Sequence, residues 1–169
     1  MSVLGELQPN KVFQYFEEIC AIPHGSRNLQ QISDYLVDFA KVHGLKYRQD
    51  EDLNVIIWKD GSKGYEASEP VILQGHMDMV AVKEADCDKD MEKEGLDLYI
   101  EDGYVKADRT TLGADDGIAV AYALAILDSK DMSHPPIEAV FTVDEEVGMT
   151  GAEAINLDCL DGKIMLNID

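Results

Sequence analysis

Gly75-His76-Met77-Asp78 follows the apolar run Val71-Ile72-Leu73, and Gly113-Ala114-Asp115-Asp116-Gly117 precedes a long apolar stretch. Asp144-Glu145-Glu146 follows the mostly apolar residues 139–143, and Asp169 follows Ile164-Met165-Leu166. In open α/β sheets ligands gather outside the carboxyl ends of the strands, so groups far apart in sequence meet there. One imidazole and several carboxylates at a common point repel strongly unless a cation neutralises them. Carboxylate oxygens with one nitrogen donor suit zinc, or less specifically manganese or cobalt. The four stretches together predict a two-metal hydrolase site.

Each stretch also has a plainer role. On an extended segment residues i and i+2 project to the same side, so His76 and Asp78 can face one centre. A carboxylate there can accept the ring N–H that a metal does not use. The alternative is a satisfied histidine at a strand end. Asp116 is placed to cap the following helix, while Asp115 is better placed to bridge two ions. Glu145 and Glu146 are neighbours and point apart on an extended chain, which favours one ligand and one proton carrier. Alone they would be an acidic exit from a strand.

The elements that must position these groups follow from periodicity. Val12, Phe13, Phe16, Ile19 and Cys20 recur at helical spacing and stop before Pro23. Asn28-x-x-Gln31 predicts a capping box for a second helix striped by Leu29, Ile32, Leu36, Phe39 and Ala40, ending near Gly44. Residues 45–49 and 53–58 alternate around a polar turn and predict an antiparallel pair. Residues 71–73, 137–143 and 163–168 are expected to be buried strands. Asp102-Gly103 between Tyr99-Ile100 and Tyr104-Val105 is a strong two-residue hairpin signal. Residues 118–127 are apolar nearly all round, so that helix needs cover on both sides. Thr150-x-x-Glu153 predicts the cap of a short helix. The pattern is α/β, a mixed central sheet with helices on both faces.

Composition narrows the function classes. A chain of 169 residues suits a single domain with a proper core. Thirty-four acidic against 14 basic residues give a formal charge of −20, which argues against nucleic acid or an anionic membrane as partner. The 3 cysteines, Cys20, Cys87 and Cys159, are widely separated and predict neither a disulfide framework nor a thiolate zinc site. No signal-peptide pattern opens the sequence and no run of about 18 apolar residues occurs, so a cytoplasmic location is expected.

These motifs resemble the aminoacyl-histidine, or cytosol nonspecific, dipeptidases, a family of co-catalytic zinc metallopeptidases. The likeness runs through Ala21-Ile22-Pro23-His24, Gly75 to Val80, Tyr104-Val105-Lys106-Ala107, Thr110 to Gly117, Asp144 to Gly148 and Asn167-Ile168-Asp169. It implies His76, Asp115, Glu146 and Asp169 as zinc ligands, with Asp115 bridging. Glu145 is implied as general base and Asp78 as the residue orienting His76, with a cis peptide bond between Asp115 and Asp116. The implied reaction is hydrolysis of dipeptides, Xaa-His or a broader set, by a water bridging two zinc ions, for which manganese or cobalt are possible substitutes. The resemblance further implies that residues 1–169 are the N-terminal part of a zinc-exopeptidase-like catalytic domain. A lid domain that often forms a homodimer, and a returning segment with a final histidine ligand, are not among them. His24, His43 and His134 do not match that ligand, and His43 is better placed as the dipole partner of a helix end. A fragment with partial metal occupancy and little activity alone is expected.

Three other readings compete. A related deacylase or aminotripeptidase would share the core motifs, and a catalytically dead scaffold would follow from the missing ligand. Asp86-x-Asp88-x-Asp90 with Asp97 imitates a calcium loop, although Met91 stands where glycine is needed.

Overall fold

Helical and alternating periods resolve into eleven elements in the computed structural model, which describes residues 2–169. Helices α1 (Asn10–Cys20) and α2 (Gln30–Val42) precede strands β1 (Lys46–Gln49), β2 (Val55–Lys59) and β3 (Val71–His76). The hairpin β4 (Leu98–Glu101) and β5 (Tyr104–Ala107) leads to α3 (Ala114–Asp128), β6 (Ile137–Thr142), α4 (Thr150–Ala154) and β7 (Ile164–Asn167). The five-stranded sheet has the order β1-β2-β6-β3-β7. β1, β2 and β6 pair antiparallel, whereas β6, β3 and β7 run parallel, so three strands deliver their carboxyl ends to one rim.

One sheet face carries most of the core. Val55, Ile57, Ala139 and Phe141 pack with α1, α2 and α3 through Phe16, Ile19, Leu36, Val120 and Leu124, all of them buried. α3 presents apolar residues on every side because it lies between β3 and α1. Lys59 donates to the carbonyls of Ile126 and Ser129 at its C-terminal end, where a cation complements the helix dipole. The opposite face meets the short α4 and the loop after it, leaving an apolar hollow of about 330 Å³ beside Met165. No helix among the described residues is long and apolar enough to cross a membrane.

Several local expectations are corrected. Leu29, not Asn28, stands before α2 without a side-chain cap, and the Asn28 amide instead donates to the Glu92 carbonyl. Likewise Met149 in the left-handed region precedes α4, so Thr150 is inside the helix and caps nothing. In both cases the box pattern is present but an adjacent residue takes the cap position, Leu29 after Asn28 and Met149 before Thr150. β7 is apolar yet half-exposed, with Ile164 at 56% and Met165 at 59%, because it pairs with β3 alone at the sheet edge. β3 is central as expected, but residues 71–74 are only partly buried beside that open edge. Asp102 and Gly103, both at positive φ, form the predicted tight turn.

Asp128, at the end of α3, ties three helices together far from the metal-type residues. Its carboxylate lies 2.7 Å from Lys11 Nζ and 3.3 Å from His43 Nδ1, and His43 stacks on Phe39 at the end of α2. Burial would raise the Asp128 pKa, but hydrogen bonds from Lys11 and Tyr15 and the nearby positive charge hold it below the ordinary carboxylate value. The folded pKa is therefore below the unfolded one, so the stabilisation is present above about pH 4 and is lost as pH falls through the folded value. Asp128→Asn is expected to cost roughly 1–2 kcal/mol at pH 7, or about 2–8 °C in melting temperature. Melting curves should show the gap between variant and parent closing as pH drops below about 4.

Candidate metal centre

The carboxyl ends of β3 and β6 and the start of α3 bring the predicted residues together. His76 is the last residue of β3 and is 1% exposed. Its Nδ1 lies 3.2 Å from Asp78 Oδ1 and 3.0 Å from the Asp78 carbonyl oxygen. Both neighbours are acceptors, so Nδ1 carries a proton, and on losing its second proton the ring presents the Nε2 lone pair toward Asp115 and Glu145. Nε2 lies 3.2 Å from Asp115 Oδ1 and 3.9 Å from Glu145 Oε2.

His76, Asp115 and Glu146 each offer a ligand atom, and these atoms lie within 4.8 Å of one another. Among the described residues no other group of three His, Cys, Asp or Glu side chains is that close. Asp169 sits past the end of β7 and, like Glu145, lines the apolar hollow, outside this group. It is near enough for its charge to act on Asp116. The 145–148 backbone is a turn rather than an extended strand exit, and both glutamates come toward His76.

Asp116 does not cap α3. Asp115 and Asp116 have non-helical backbone angles, the bond between them is cis, and Asp116 Oδ2 accepts the His76 N–H at 3.1 Å. Gly75 makes this approach possible, since a Cβ there would lie 2.8 Å from that oxygen. The helix start is thus joined to the strand end by a buried bond instead of a local cap.

The electrostatics fit a cation. Burial disfavours a charged His76 ring, but the Asp78 hydrogen bond and the charges of Asp78 and Asp116 outweigh it and push the pKa up to about 9. Asp116 is lifted to about 6, first by burial and then by repulsion from Asp169 and Asp115. Glu146 is raised by burial and by Asp115 and Glu145. Asp78 goes the other way: donors from His76, Ser26 and the Glu145 backbone overcome its burial and lower its pKa. One imidazole nitrogen and two oxygens converge where negative charge is crowded, a donor set that suits zinc, manganese or cobalt.

The calcium-loop reading fails on geometry. Asp86 pairs with Arg109, Asp90 with Lys93 and Asp97 with Lys89, so these acids are drawn to separate cations. A residue outside the predicted set belongs to the site instead. Ser26 Oγ donates to Asp78 Oδ2 at 2.7 Å, from a loop whose spacing gave no sign of contact with residues more than fifty positions later. An open groove of about 1020 Å³, lined by residues 25–28 and 79–83, begins at Glu146.

No protein-family model matches the chain. The cytosol non-specific dipeptidase of Escherichia coli is 40% identical over all 169 residues, which correspond to 35% of that protein. The crystal structure of aminoacylhistidine dipeptidase from Vibrio alginolyticus superposes with a TM-score of 0.94 at 42% identity, covering 97% of this chain and 34% of that one. Over its whole length the chain is similar to these dipeptidases. It spans about a third of the length of these relatives. A tripeptidase from Staphylococcus aureus shares the fold more distantly, with a TM-score of 0.76 and 25% identity over 95% of this chain and 43% of that one. The mixed sheet and helices described above superpose on about a third of the aminoacylhistidine dipeptidase structure.

Proposed function

We propose that this chain carries the principal part of a zinc centre for dipeptide hydrolysis, and that the activity belongs to a polypeptide of its relatives' length. The convergence of His76, Asp115 and Glu146 within 4.8 Å at the ends of parallel strands carries the reading. His76 through Nε2, Asp115 and Glu146 would hold the metal, with Asp115 as the carboxylate that would be shared with a second ion and Asp169, at the end of β7, as a further ligand. Zinc suits these donors best, with manganese or cobalt as substitutes. When bound, such an ion acts as a Lewis acid toward a peptide carbonyl and acidifies water.

The chain's own residues supply the rest. Glu145, 3.9 Å from the ligand nitrogen and anchored through its N–H to Asp78 Oδ1 at 3.0 Å, accepts the proton of the attacking water and returns it to the departing amine. Asp78 keeps the His76 proton on Nδ1. The groove beginning at Glu146 offers space for a short peptide. The name of the Escherichia coli relative supports a cytoplasmic setting.

Aminotripeptidase activity is the second reading, favoured by the likeness to the Staphylococcus aureus tripeptidase. Metal analysis alongside assays on Xaa-His dipeptides and on tripeptides separates them, using this chain and a version extended to its relatives' length. Dipeptide hydrolysis confined to the extended version, together with a higher zinc content, is the expected result. Preferential tripeptide cleavage would favour the second reading. Robust dipeptide hydrolysis by residues 1–169 alone would refute the need for a longer chain.

A further inference from the structure

Asp78 is 1% exposed and receives four donors. Oδ1 faces His76 Nδ1 at 3.2 Å and the Glu145 N–H at 3.0 Å, while Oδ2 faces Ser26 Oγ at 2.7 Å and the Glu146 N–H at 3.4 Å. One carboxylate therefore aims a ligand imidazole and holds the backbone of both glutamates. The terminal torsion of an aspartate is soft, so this double role depends on all four donors. Three of them belong to the groups being positioned. Ser26 alone comes from elsewhere.

The Ser26 loop is itself fastened to the rim. The Ser26 N–H donates to the Met79 carbonyl at 3.2 Å, Gly25 forms a bridge with Met79, and the Arg27 N–H donates to Asp144 Oδ1 at 2.6 Å. A Cβ on Gly25 would lie 2.6 Å from the Ala81 side chain, so the loop packs directly on the chain leaving β3. Ser26 thus reaches Asp78 from a support anchored to the exits of both β3 and β6.

We propose that Ser26 is a positioning residue of the metal centre, its hydroxyl fixing Asp78 so that His76, Glu145 and Glu146 keep their geometry. The inference rests on the metal reading above. It is tested by the zinc affinity of this chain, from competition with a chromophoric chelator, and by the visible absorption of its cobalt(II) form. Four variants are compared with the parent: S26A, S26T, S26V and H76A, each verified as folded by circular dichroism. Thr keeps the hydroxyl and Val keeps only its shape, so this pair separates the hydrogen bond from packing.

S26T is expected within about threefold of the parent, with S26A and S26V weakened roughly tenfold, the range for loss of an outer-shell partner. Their cobalt bands should move, while the S26T band stays in place. Equal affinities for S26T and S26V, or an unchanged S26A, would overturn the inference and leave the metal site standing. If the parent bound zinc no better than H76A, the metal reading and this inference would fall together.

Discussion

Glu145→Gln is expected to lower dipeptide turnover by at least about 100-fold in the extended polypeptide while zinc content stays at the parental level. Gln keeps the size of Glu and the backbone N–H bond to Asp78, which is 3.0 Å long and independent of the side chain. It loses the ability to take a proton. The Glu145 carboxylate is 30% exposed and lies outside the trio whose donor atoms converge, so its removal leaves the ligands in place. Single-turnover assays beside metal analysis check this. Near-parental turnover would remove Glu145 from the base role, and loss of zinc would instead make it a ligand.

His76→Ala is expected to weaken zinc binding by at least about 100-fold, beyond the upper end of what loss of an outer partner costs. His76 supplies the only nitrogen of the converging trio, and the two remaining donors are on exposed side chains whose positions are less constrained. Its removal also deprives Asp78 of a buried partner, leaving a desolvated carboxylate with fewer donors. Zinc titration at constant pH is the measurement. A modest change, within about threefold, would mean that the metal is held by the acidic surface and not by this centre.

Much of the framework was legible because local patterns report local geometry. The helical stripe of α1, the Asp102-Gly103 turn and the antiparallel β1-β2 pair need only residues a few positions apart, and each occurs as expected. Chemistry was legible where a residue type has few plain uses. His76, Asp115, Glu146 and their neighbours stood out because each acidic or imidazole group sits next to an apolar strand or helix, and the family resemblance then gave them roles. The caps were less legible: the boxes at Asn28 and Thr150 are correct as patterns, but Leu29 and Met149 take the cap positions.

Residue types and their periods, then, determined the elements of this protein and the acids and imidazole available for a metal. The tertiary structure alone decided which of them meet. Asp116 turned from a helix cap into the partner of the His76 N–H, 40 residues away, and Ser26 joined the site across 52 residues. β7 became an exposed edge although its composition reads as core. The physical reason is common to all three: a hydrogen bond or a buried face depends on what the folded chain brings alongside, and adjacency in sequence carries no record of that.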